Sequence, residues 1–188
     1  MRKLSLLILF SFSTQAFAAS HVSFWNDITP ASLSSLVKNI EKAALKIKAD
    51  QERVVVIDLT SGGGDLYAAF KFVSDTPALE ERLGIEIDTR VTSTCESACT
   101  VLYTAGRKRL ARRGASFGFH SPAIASRVPR GVSRSAVLES ARARWMAAIT
   151  KVDPALAYEI DRRNLLMDEE MTYLSGRSLD GGYVTTRE

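Results

Sequence analysis

At 188 residues the chain is long enough for one domain with a substantial core and too short for two of ordinary size. With 46% hydrophobic and 24% charged residues, its composition excludes a disordered chain and a polytopic membrane protein. A formal charge of +4, from 25 basic and 21 acidic residues, is too mild to argue for a nucleic-acid partner.

The N-terminus, MRKLSLLILFSFSTQAFAAS, combines Arg2 and Lys3 with an apolar run from Leu4 to about Ser13 and the small-x-small pattern Ala16-Phe17-Ala18. This reads as a secretory signal peptide over 1–18, leaving a single domain at 19–188. The run falls short of the roughly 20 apolar residues that cross a bilayer. No integral membrane span is therefore expected in the mature chain, and the expected location is the periplasm or the extracellular space.

Beyond it, Thr29 and Pro30 open a predicted helix whose Leu33, Leu36, Val37, Ile40, Ala44 and Ile47 recur at helical spacing. ERVVVIDL (52–59) is a short, β-branched apolar run, the mark of a buried strand. After the turn TSGGGD comes DLYAAFKFVSD, helical in pattern, then an expected break at Thr76-Pro77 and a short ALEERLG helix. IEIDTRVTST alternates as a strand. SACTVLYTAG has helical composition, with Gly106 as its expected C-cap. RKRLARRG reads as a basic turn and ASFGFHS as a strand. A loop with Pro129 and Gly131 leads to two predicted helices, about 133–151 and 153–165. The tail MTYLSGRSLDGGYVT reads as a turn-rich segment closing with a strand. This alternation argues an α/β domain.

Three places could carry chemistry. TSGGGD (60–65) joins a strand to a helix, where backbone N–H groups can hold an anion or an oxyanion and glycines allow close approach. The same six residues also make an ordinary tight turn. The Lys-Ser/Thr ending of a phosphate loop is missing. Ser97 follows a strand near a helix start and reads either as a cap or as a nucleophile whose neighbouring amide, that of Ala98, could join an oxyanion hole. His120 ends a strand and is the only histidine besides His21. It reads as a structural residue or as the base that a serine nucleophile needs. Cys95 and Cys99 flank Ser97, as a local disulfide or as two packed thiols. Metal binding ranks third, because other soft ligands are few, and no cofactor is expected.

In that order, TSGGGD, CESACTVLYTAGRKR and GASFGFHSP resemble the ClpP/crotonase superfamily, specifically its ClpP-like exported members, over about Arg53 to Val184. The resemblance implies stacked β-β-α units with a helical arm after the histidine strand. It implies Ser97 as nucleophile, His120 as general base, and the amides of Gly64 (or Asp65) and Ala98 as the oxyanion hole. It also implies a peptide or unfolded-protein substrate and a ring-like homo-oligomer, with the arm at about 133–165 between subunits or over its own core. Family peptidases carry an acid just before an aromatic-Leu-Ser/Thr segment, and in MTYLS that place is Met171. Asp168, Glu169 and Glu170 are the neighbouring carboxylates that could orient His120, or they form an acidic, solvated stretch. A Ser-Lys pair with Lys71 or Lys108 as base is a second enzymatic reading. A binding or assembly module that keeps the fold without turnover is the alternative from another class.

Overall fold

The computed structural model describes residues 19–123, 128, 130–179 and 182–187. The signal-peptide reading of 1–18 and the loop residue Pro129 lie outside them. The described chain is built on one seven-stranded sheet.

Ser20–Phe24 forms β1, parallel to β2 (Val54–Ser61), the apolar run read as a buried strand. Between them lies α1 (Pro30–Lys46). Thr29 Oγ1 accepts the Ser32 amide at 3.0 Å, and Leu33, Leu36, Ile40 and Ala44 form the buried face. These positions recur every three to four residues, as packing one helix face requires.

The helix α2 (Leu66–Leu83) is capped by Asp65 and runs unbroken through Pro77. The expected break at Thr76-Pro77 does not occur. Proline removes one helical N–H, yet Phe72, Thr76, Leu79 and Glu80 on both sides of it stay buried along one face. Packing of that face outweighs the local cost. Thr76 Oγ1 also donates to the Phe72 carbonyl at 2.8 Å.

The sheet forks at β3 (Glu86–Glu96). Its first half, Thr89 to Val91, pairs with β4 (Arg109–Ala111), while Thr94 to Glu96 pair with β5 (Ser116–Phe119). Beyond the second half, α3 (Ala98–Tyr103) leaves the end of β3. Gly106 is not its left-handed cap: a Cβ there would collide with Thr89, so the glycine serves close packing against β3. The segment read as a basic turn contains β4, because the Arg109 guanidinium is buried and donates to the carbonyls of Tyr183 and Gly182, both at 2.9 Å.

The arm consists of α4 (Arg134–Val152) and α5 (Pro154–Arg162). Ala141, Trp145 and Ile149, one face of α4, are buried within the chain itself. Past α5, β6 (Thr172–Ser175) pairs antiparallel with β5, a short 3-10 turn follows, and β7 (Thr186–Arg187) closes against β4. The fold is the α/β architecture expected from the sequence, with a helical arm after β5. No helix among the described residues is long and apolar enough to cross a membrane.

Candidate active site

The fork in β3 is what brings the chemistry-bearing residues together. Glu96 is in register with Gly118, and the Ser97 amide donates to the Gly118 carbonyl at 2.9 Å. His120 stands two residues further along, just past the end of β5. Its Nε2 lies 2.8 Å from Ser97 Oγ. Both side chains are half-buried, so they are reachable from solvent.

Ser97 has φ 54° and ψ −126°, a conformation that L residues avoid and that costs about 1–3 kcal/mol. Its side chain makes no helix-cap hydrogen bond, so the capping reading fails. The strained backbone instead turns Oγ away from α3 and toward His120, as a nucleophile at a strand-to-helix elbow requires. The Ser97 carbonyl accepts from both the amide (2.9 Å) and Oγ1 (2.8 Å) of Thr100. Thr100 Oγ1 accepts in turn from Trp145 Nε1 at 3.0 Å. The indole also meets the His120 ring edge-on, with 6.3 Å between centroids.

Around the elbow, Cys95 and Cys99 form a disulfide with a Cα–Cα distance of 5.2 Å. Of the two readings open in the sequence, the bridged one holds. Both cysteines are fully buried, with the strained residue midway between them.

The glycine turn comes up against the same elbow. Gly63 has φ 99°, and a Cβ there would lie 2.6 Å from Ser97 Cβ and 3.2 Å from the Ala98 amide nitrogen. Only glycine fits that approach. Ser61 Oγ accepts the Gly63 amide at 3.1 Å, and the Ile28 amide donates to the Gly63 carbonyl at 2.7 Å. The Asp65 amide is engaged by the Ile28 carbonyl at 2.7 Å and its carboxylate by Ala68, so Asp65 does not contribute an oxyanion donor. The amides of Gly64 and Ala98 donate to no partner among the described residues.

None of the three acidic candidates hydrogen-bonds His120. Asp168, Glu169 and Glu170 are exposed, and Asp168 Oδ1 accepts from the Glu170 amide at 3.1 Å. Asp168 contributes its backbone, whose carbonyl takes the Ser121 amide. Met171 packs its thioether over Gly118. Lys71 pairs with Asp75 on the exposed face of α2, and Lys108 is exposed, so neither hydrogen-bonds Ser97. Burial holds His120 below the ordinary imidazole value, opposed by a hydrogen bond to the Ser121 backbone and by the charge of Glu96. His21 is elsewhere, 3.1 Å from Asp58 Oδ2.

Sequence reasoning passed over Glu96, Thr100 and Trp145. The only available signal for Glu96 was its adjacency to Ser97, and Thr100 and Trp145 are separated by 45 residues. No cluster of three or more metal-ligating side chains occurs among the described residues. A groove between α1 and α2, lined by Leu33, Val37, Tyr67 and Phe72, includes neither Ser97 nor His120.

The chain thus combines a ClpP-like α/β fold with a serine and a histidine in hydrogen-bond contact at a strained turn. Among solved structures it is similar to a ClpP1 mutant from Listeria monocytogenes, with a TM-score of 0.64 and 17% identity over 90% of this chain and 91% of that one. No family model matches the sequence, and no curated protein matches it either.

Proposed function

We propose that the protein is an exported serine hydrolase, a peptidase that works without ATP on peptides or unfolded segments. The observation that carries this reading is the 2.8 Å contact between His120 Nε2 and Ser97 Oγ, made by a serine whose backbone is strained.

In the reaction, neutral His120 accepts the Ser97 hydroxyl proton at Nε2 as Oγ attacks the scissile carbonyl. The amides of Gly64 and Ala98 stabilise the oxyanion. His120 then returns the proton to the leaving amine, freeing the first product. Water, deprotonated by His120, hydrolyses the acyl-enzyme and regenerates Ser97. Loss of the orienting acid slows a well-studied triad by roughly four orders of magnitude, so a slow enzyme is expected unless another group takes that role.

Export rests on the reading of 1–18 as a signal peptide. Assembly into a ring-like homo-oligomer rests on the ClpP-like fold. Met171, packed where the family acid is expected, favours the second reading, a ClpP-like binding or assembly module without turnover.

A fluorophosphonate probe applied to the folded mature protein, beside Ser97→Ala and His120→Ala, separates the two. Labelling of the parent that disappears in Ser97→Ala and falls sharply in His120→Ala supports the hydrolase. No labelling of the parent supports the binding module, and labelling that persists in Ser97→Ala rules out the nucleophile.

A further inference from the structure

We propose that Glu96 is the positioning acid of the Ser97–His120 pair, supplied by β3 in place of the carboxylate that Met171 displaces. This rests on reading those two residues as reacting partners.

The geometry begins at Gly118. A Cβ at this position would lie 2.7 Å from Met171 Sδ and 3.0 Å from Glu96 Cγ. Two long side chains from the flanking strand and segment therefore share the space that a side chain on β5 would occupy. His120 comes two residues after Gly118, just past the end of β5, and its ring contacts Ser97, the residue that follows Glu96. Met171 brings no charge to this end of the strand and Glu96 brings a carboxylate.

The carboxylate is held in place. Glu96 Oε1 accepts the Tyr173 hydroxyl at 2.8 Å, and Tyr173 is the residue of β6 in register with Gly118. Its Oε2 lies on the side of Gly62, 3.8 Å from where a Cβ would stand. Glycine at 118 leaves the acid its room, and Tyr173 fixes one of its oxygens.

The other groups around His120 do not supply this charge. From α4, Arg142 directs its guanidinium to the Leu166 carbonyl (2.9 Å) and Ser121 Oγ (3.0 Å), while Trp145 is uncharged. From the segment after α5, Asp168 offers its carbonyl to Ser121, and its carboxylate, with those of Glu169 and Glu170, is exposed. Tyr173 is occupied with Glu96 itself.

Glu96 acts through space. When Ser97 passes its proton to Nε2, the ring becomes an imidazolium, and a fixed carboxylate lowers the energy of that cation. Glu96 neither takes nor gives a proton. The arrangement differs from a Ser-His-Asp triad, in which the acid bonds Nδ1 directly; here the charge comes from the strand that leads into the nucleophile.

The test is an NMR titration of the two histidines in the folded mature protein and in Glu96→Gln, with His21 as the internal control. The His120 midpoint should fall by roughly half to one pH unit when the carboxylate becomes an amide, while His21 stays where it is. Glu96→Asp should recover part of the shift, and Tyr173→Phe, which keeps the charge, should move it less than Glu96→Gln does. In parallel, fluorophosphonate labelling of Glu96→Gln at neutral pH should slow about three- to tenfold, the equivalent of half to one pH unit of lost charge stabilisation. An unmoved His120 midpoint in Glu96→Gln overturns the assignment, even if labelling slows. A shifted midpoint without any labelling of the folded parent overturns the hydrolase reading and leaves the Glu96–His120 coupling in place.

Discussion

Trp145 Nε1 donates to Thr100 Oγ1 at 3.0 Å, and that hydroxyl donates to the Ser97 carbonyl at 2.8 Å. The arm helix is thereby tied to the elbow through one threonine. Thr100→Val keeps the shape but removes the Oγ1 bond to Ser97 and strands a fully buried indole N–H. The expected cost is about 1–3 kcal/mol, read as a lower urea midpoint, together with slower fluorophosphonate labelling. A midpoint equal to the parent's would refute the tie.

A second prediction concerns pH. Burial, the largest influence on His120, lowers its pKa below the ordinary 6.5, against smaller opposing effects of the Ser121 backbone and Glu96. The ring is therefore neutral, and able to accept a proton, at pH 7. The acid limb of the labelling rate is expected below about pH 6.5. The sign for stability follows the same shift: the unfolded chain binds the His120 proton first as pH falls. The contribution of His120 is therefore full above pH 6.5 and declines as pH drops toward the folded value. An acid limb centred above 7 would contradict this.

Gly63→Ala tests the approach of the two turns. The added methyl would stand 2.6 Å from Ser97 Cβ at a backbone φ of 99°. We expect about 1–3 kcal/mol of strain from the conformation alone, and a loss of labelling of at least about 100-fold, since a misplacement of about 1 Å can cost that much. Thermal unfolding and labelling rate, measured on the same sample, check both. A variant that labels at the parental rate would show that the turn does not pack on Ser97.

The disulfide gives a fourth. Cys95 and Cys99 are fully buried, so a reductant has no access to the bond while the elbow is closed. Dithiothreitol should leave it intact under native conditions and cleave it once denaturant is present, as read by alkylation and mass spectrometry. The double replacement Cys95→Ala/Cys99→Ala is expected to cost roughly 2 kcal/mol for so short a loop. Rapid native-state reduction would mean that the elbow opens readily.

Much of the architecture was legible because it rests on local pattern. The helical spacing of α1, the unbroken apolar run of β2 and the cap residue Thr29 act within a few residues of one another. What was illegible depends on distant partners. Pro77 looked like a helix end because the burial of Phe72 and Leu79 against the rest of the chain does not appear in local sequence. The strand β4 hid among arginines because Arg109 finds its carbonyl acceptors more than 70 residues away. In the candidate site the residue types of Ser97 and His120 were evident, but their contact depends on β5 pairing with the second half of β3 rather than the first. The availability of the Gly64 amide and the engagement of the Asp65 amide likewise depend on Ile28, which no motif includes.

The bond between Cys95 and Cys99 also ties two codons together. A chain that keeps one cysteine and loses the other would hold a lone thiol two residues from Ser97, inside a fully buried setting with no disulfide partner. Such an intermediate loses the cross-link and leaves an unpaired thiol packed beside Ser97. Substitutions at 95 and 99 are thus expected to arise as a pair or to be absent, so that the segment from Cys95 to Cys99 behaves under mutation as one unit with Ser97 at its centre.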